Sequence, residues 1–382
     1  MLSLHSMYSI AADNWHWHGF VSQGLMQASG SNFVNNDGDV STDLTELGIN
    51  GSYQISPSVR VAAQLMSLNG GNRYADGWRI DYVFVHWTAY HSLDWQLNFY
   101  AGRFKNMHWL YSGTRDVPMT RPMIVLPQSV YFDAFRDTAV GSEGVALQSI
   151  HHTLAGELEF NWSWGGMPIK KESARRVVGT QIRGETEQDK VHQMSWYFRP
   201  EQQQSQWGIS LLDSKFNYRK GQDDLFTDGD FRVQRFMLNW RYSAEFWELS
   251  SELMQERVVA DNFYLPGFHR DQFAQGIFVL GSFNLTPTSR LYASYDWYVA
   301  NKDDRRGALL PATSGGLIPA YFGYQFDRAV GFSQDFSDNF RLVMEYHWIT
   351  GTGRLGPNVV PDVAINRYRH HDLWAVQLMY WF

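Results

Sequence analysis

Leu373-Trp374-Ala375-Val376-Gln377-Leu378-Met379-Tyr380-Trp381-Phe382, at the end of the chain, alternates with a period of two. Trp374, Val376, Leu378, Tyr380 and Phe382 form one face, every member apolar or aromatic, while Leu373, Ala375, Gln377, Met379 and Trp381 form a mixed face. Successive side chains of a strand point to opposite sides. A strand that crosses a bilayer at a tilt needs ~9–11 residues with this apolar-out alternation. One such strand could also end a soluble sandwich, so the remainder of the chain must repeat the pattern.

Composition agrees with that requirement. The 382 residues are 16% aromatic but only 19% charged, with no Cys, and mean hydropathy is −0.37. Ordinary soluble domains are ~25% charged. No apolar run approaches the ~18 residues of a membrane helix. Many rings, little charge and no long apolar run describe strands with one face in lipid and the other in water. The absence of Cys excludes disulfides and thiolate metal sites, and the formal charge of −7 argues against a nucleic-acid partner. Residues 1–12 lack a basic n-region and are read as the remnant of a signal segment or a misassigned start, with residues 13–382 forming one barrel domain.

Strand-like alternation recurs sixteen times. In the second strand Leu47, Ile49, Gly51 and Tyr53 oppose Glu46, Gly48, Asn50, Ser52 and Gln54; in the tenth Phe236, Leu238, Trp240 and Tyr242 oppose Arg235, Asn239 and Arg241. Connections alternate between tight turns, such as Ser56-Pro57-Ser58 and Thr286-Pro287-Thr288, and long polar loops. An even strand number, short periplasmic turns and long external loops define the membrane barrel, and put the C-terminus at the periplasmic edge. The expected fold is therefore all-β: a transmembrane antiparallel barrel of about sixteen strands.

A barrel of that size encloses water rather than a packed core. The inward parity carries Glu46, Arg60, Glu157, Glu159, Arg235, Arg241, Glu248 and Glu252, the expected lumen wall. A basic residue facing lipid at mid-membrane costs ~2–4 kcal/mol, whereas facing water it costs little. The third external loop, Lys105–Gly141, is the longest connection and contains the run Met123-Ile124-Val125-Leu126, too apolar to float in water. Its expected place is inside the lumen, packed on the wall, with Arg115, Asp116, Arg121, Asp133, Arg136 and Asp137 at the pore constriction. Opposed charges there set a transverse field that selects solutes without binding them tightly.

Thr114-Arg115-Asp116-Val117-Pro118, Thr120-Arg121-Pro122 and Leu126-Pro127-Gln128-Ser129-Val130-Tyr131-Phe132-Asp133 resemble a segment of poorly characterised porin-like outer-membrane proteins of Gram-negative bacteria. His18–Gly24, Glu345-Tyr346-His347 with Gly351-Thr352-Gly353, and the closing strand add to the resemblance. It implies an outer-membrane porin that passes small hydrophilic solutes or ions without a cofactor, surrounded by lipid, and assembled as a homotrimer like the better-known sixteen-strand porins. The competing expectation is an export conduit or docking sheath for a polysaccharide or periplasmic protein, which needs an open lumen. No serine lies in a nucleophile-elbow context, so no enzyme is expected. The pairs His16/His18, His151-His152 and His370-His371 lack a third ligand, and Asn35–Asp39 lacks the spacing of a full Ca²⁺ loop, so no metal site is expected.

Overall fold

The computed structural model describes residues 14–136, 141–202, 204–263 and 265–382. Residues 1–12, expected as a signal remnant or misassigned start, and Asp137 lie outside them. Seventeen strand segments form one sheet, and two of them, Glu185–Gln188 and Val191–Pro200, lie end to end along the same neighbour. They act as one strand interrupted at Asp189-Lys190, so the closed antiparallel barrel has sixteen staves. These are β1 (Trp15–Ser29), β2 (Thr45–Ser56), β3 (Val59–Asn69), β4 (Gly77–His91), β5 (Trp95–Lys105), β6 (Gly141–Thr153), β7 (Gly156–Gly166) and the two-piece β8. The second half comprises β9 (Ser205–Arg219), β10 (Gly229–Ser243), β11 (Trp247–Asp261), β12 (His269–Thr286), β13 (Ser289–Val299), β14 (Tyr324–Ser337), β15 (Phe340–Thr350) and β16 (His370–Trp381).

Closure runs through β1 and β16, in a register that pairs Val21 with Tyr380 and Gln23 with Leu378. Gly19 and Phe382 exchange backbone hydrogen bonds of 3.1 and 3.0 Å at the rim. No edge remains for another chain to pair with. Every even-to-odd connection is a tight turn and every odd-to-even one is longer, as the sequence pattern requires.

The two faces have different chemistry. Val21, Ile49, Trp207, Leu238, Phe283 and Leu378 are exposed on the outside. Trp15, Trp87, Trp95, Trp247, Phe340 and Phe382 concentrate near the end of the tight turns, as an interfacial aromatic girdle does. The alternate positions, among them Ser22, Met26, Glu46, Met237, Glu252 and Gln377, point inward and are buried.

The connection between β7 and β8 is more ordered than a charged loop. It holds α1 (Lys171–Val178), whose Ala174 and Val178 pack with Tyr218, Phe226 and Phe263. Arg176 of α1 donates a 2.9 Å bond to the Gly71 carbonyl, tying this roof to the loop after β3. A shorter helix, α2 (Leu309–Thr313), lies between β13 and β14.

Candidate functional site

The third loop turns into the barrel after β5. Met123, Ile124, Val125 and Leu126 are buried against Met237, Met254, Phe278, Tyr292, Val343 and Met379, all inward residues of the far wall. An apolar run that would lose free energy in water is thereby removed from it. This packing fixes one side of the loop.

Backbone groups of a loop buried in this way need partners. Three wall carboxylates supply them. Glu345 of β15 accepts from the Ile124 and Val125 N–H groups at 2.9 and 2.8 Å. Asp296 of β13 accepts from Ser129 N–H at 3.0 Å, and Glu252 of β11 from Leu110 N–H at 3.0 Å and from the Tyr131 hydroxyl. Tyr292 adds a 3.0 Å hydroxyl bond to Glu345, whose other oxygen contacts His347, itself bonded to Asp327. Across the third loop, Arg354 from the last loop donates to the Ser129 carbonyl at 3.0 Å and stacks on Tyr298.

The near end is held by charge. Arg121 grips Glu46 of β2 with both terminal nitrogens, the longer bond being 3.0 Å. Arg136 pairs with Asp116 and approaches Glu46 at 3.5 Å, its guanidinium 4.3 Å from the Tyr74 ring centre. Asp133 receives Arg73 at 2.7 Å and Arg115 at 2.5 Å. Lys105 bridges Asp116 and Asp81. Asp81 is the extra residue of a bulge in β4, so it projects inward beside Tyr82. Burial pushes the Asp116 and Asp133 carboxyls up, but the adjacent cations more than offset it: Arg136 and Lys105 for Asp116, Arg73 and Arg115 for Asp133. Both stay below the ordinary carboxylate range.

Arg115, Asp116, Arg121, Asp133 and Arg136 thus converge in one buried network where the loop meets β2–β5. Of the groups named in it, five cations (Arg73, Lys105, Arg115, Arg121, Arg136) face four carboxylates (Glu46, Asp81, Asp116, Asp133), leaving one positive charge. Arg73, Asp81 and Lys105 have no place in the sequence expectation. Neither do Asp296 and Asp327, although Glu345 and His347 lie in a segment singled out there by resemblance.

All eight expected wall residues lie on inward-facing positions, in different settings. Glu46 and Glu252 are sealed under the loop rather than bathed in water. Glu157 and Glu159 both bind Arg199 of β8, at 2.5 and 2.7 Å, and Glu159 also accepts from Gln148 and Asn161. Arg235 pairs with Glu256 and lies over Trp109. Arg241 reaches Glu248 only at 3.8 Å and lies over Tyr111. Arg60 differs: its Nε has no hydrogen-bond partner, and among the described residues no carboxylate lies within ion-pair distance.

Beside the loop the turn-side part of the β3–β6 wall stays uncovered, whereas Met66 and Leu68 of β3 pack under Val117 and Met119 of the loop. Rows across these strands carry Ala62, Phe84, Gly102 and Gly144, and Arg60, His86, Tyr100 and Ala146. Gly102 has φ +123°, and a Cβ there would meet the Val83 carbonyl at 2.4 Å, so close strand approach demands glycine. A cavity of about 190 Å³ opens between this wall and the loop. Among the described residues no group of three or more His, Asp or Glu could hold a metal.

No family model and no curated protein matches the sequence. Solved structures do match the fold. An anion-selective porin from Comamonas acidovorans shares 11% identity at a TM-score of 0.59, over 96% of this chain and 99% of its own. The trimer form of OmpT, an outer-membrane protein of Vibrio cholerae, gives 10% and 0.59 over 96% and 99%. Salmonella typhi OmpF, solved with daunomycin, gives 11% and 0.58 over 97% and 98%. At these identities the likeness extends to architecture: the chain has the sixteen-strand barrel fold of porins.

Proposed function

We propose that this protein is an outer-membrane porin of a Gram-negative cell, in which residues 13–382 act as one barrel that passes small hydrophilic solutes or ions down their gradients. The observation that carries the reading is the asymmetry of the lumen: the third loop is docked on one part of the wall and leaves the turn-side part of β3–β6 uncovered beside it. A loop held across the lumen suits a filter for small solutes and opposes the rival role of export conduit, which needs the full width. The apolar outward band and its aromatic girdle support residence in a bilayer with the tight turns and the C-terminal strand at the periplasmic side.

In this reading the network of Arg115, Asp116, Arg121, Asp133, Arg136 and the adjoining Asp137 forms the charged constriction. With Asp137 included, five cations face five carboxylates, so the constriction acts through the transverse field of opposed charges rather than through a net charge. A homotrimer is proposed on the strength of the trimeric form of a structural neighbour. Planar-bilayer recording tests the function: stepwise ohmic conductance is expected, and an insulating barrel would overturn it. Reversal potentials in a salt gradient test the constriction. Replacing Arg121 and Arg136 together by Ala removes two positive charges and should move the permeability ratio toward cations. An unchanged ratio would remove these residues from the selectivity filter.

A further inference from the structure

A water-filled lumen has no use for a cluster of rings, yet one lies on the uncovered wall. Tyr82 and Phe84 approach at 5.5 Å between ring centres, Phe84 and Tyr100 at 5.6 Å, and His86 stacks on Tyr100 at 4.8 Å and 20°. All four face inward, since Val83, Val85 and Trp87 at the alternate positions of β4 and Phe99 beside Tyr100 on β5 are exposed on the outside. Phe84 stands in a row whose other members are Ala62, Gly102 and Gly144, so no neighbouring side chain in that row covers its ring.

Tyr82, Phe84 and Tyr100 line the cavity of about 190 Å³ together with Phe104, Met107 and Gln148 among others; Lys105 also reaches it but is paired with Asp81 and Asp116, and His86 and Arg60 stand in the adjoining row. A dry apolar cavity of ~150 Å³ is enough to hold benzene, so the space suits one six-membered ring. Charge narrows the choice further. Arg60 shares a row with His86 and Tyr100, and its guanidinium lacks the carboxylate that Arg121, Arg136, Arg199, Arg235 and Arg341 each have. A lumen cation left without an internal partner beside an aromatic recess is complementary to a solute carrying both a flat ring and an anionic group.

We infer that the uncovered wall is a binding station for small aromatic carboxylates, the ring entering the Tyr82–Phe84–Tyr100 recess and the carboxylate pairing with Arg60. The inference rests on the channel reading and names its solute class. Transport needs such a station to be weak enough to release its occupant, so the signature is transient occupancy rather than tight binding.

Benzoate is the probe, with acetate as charge without ring, phenol as ring without charge, and glucose as the saccharide control. Two readouts are taken on the folded protein in detergent or bilayers: saturation-transfer NMR for binding, and single-channel current in KCl for passage. The expected result is that benzoate binds and interrupts the current while acetate, phenol and glucose do so at least about tenfold more weakly, the worth of one charge-assisted bond. Arg60→Gln should lose benzoate binding by a similar factor, Arg60→Lys should recover part of it, and Phe84→Ala should weaken it. Heat-modifiable migration confirms that each variant is folded. Benzoate no better than acetate, glucose bound in its place, or Arg60→Gln with undiminished binding would each overturn the inference. Conductance without benzoate recognition would leave the porin reading intact and remove only the station. Benzoate binding by a barrel that does not conduct would keep the station and remove the transport role.

Discussion

The wall beneath the third loop and the wall of β3–β6 are built from the same inward-facing half of an alternating strand, yet they do opposite things. Under the loop, Glu46, Glu252, Asp296 and Glu345 are buried and engaged with loop N–H groups, hydroxyls or guanidinium groups. On the turn-side rows of β3–β6 the inward positions hold Ala62, Phe84, Gly102, Gly144, Tyr100 and the unpartnered Arg60, with open space in front of the rings. A carboxylate on a barrel wall is therefore not by itself a pore-lining group. Its role depends on whether a loop has come to meet it.

Removing the loop should erase that difference and give the largest effect. Deletion of Val117–Leu126 exposes the far wall and should raise single-channel conductance severalfold, read in planar bilayers; unchanged conductance would mean that the loop does not obstruct the current. Next comes Glu46→Ala, which leaves Arg121 buried without its carboxylate. Breaking a buried pair in this way costs ~3–5 kcal/mol. The expected outcome is a noisy, higher conductance and protease sensitivity within the loop, while the barrel keeps its heat-modifiable migration.

Glu345→Gln should do less. It retains one acceptor for the Ile124 and Val125 N–H groups and loses the charged component, a cost of ~1–3 kcal/mol for imperfectly satisfied buried groups. Increased hydrogen exchange at those two amides, with little change in conductance, is the expected reading. Acid gives the smallest effect over the ordinary range. Asp116 and Asp133 have folded pKa values below their unfolded ones, so their stabilisation is complete above the unfolded value and is lost as pH falls through the folded one. The contacts of Asp116 and Asp133 should therefore hold from neutral pH down to pH ~4, with release of that end of the loop, read as channel noise, only below it. Release at pH 6 would assign the anchoring to other groups.

Much of this architecture was legible in the residues. Period-two alternation and the alternation of loop lengths located most of the staves, since lipid on one side and a lumen on the other leave few ways to place an exposed Val21 or Leu378. The apolar run Met123–Leu126 pointed the third loop inward. Less legible was β8, because the polar pair Asp189-Lys190 interrupts its alternation and leaves Glu185–Gln188 looking like loop. The partners of the loop were hidden for a physical reason. Asp296 at an inward position looks the same in sequence whether it faces water or accepts from Ser129, and only distance in space separates the two cases. Asp81 was masked further by a bulge that shifts parity.

The contacts that seat the third loop also have an implication for the order of assembly. Ile124 meets Glu345 across 221 positions of chain and Arg121 meets Glu46 across 75, so the segment is held by strands formed both before and long after it. Contacts of that separation are entropically costly until the intervening chain is already organised. The sheet must close first, with β15 and β16 brought round to β1, before a seat for the loop exists. Docking is then the last event of maturation, and a barrel closed in the wrong register would present no matching row of carboxylates and would be left with its loop unseated, open to proteolysis.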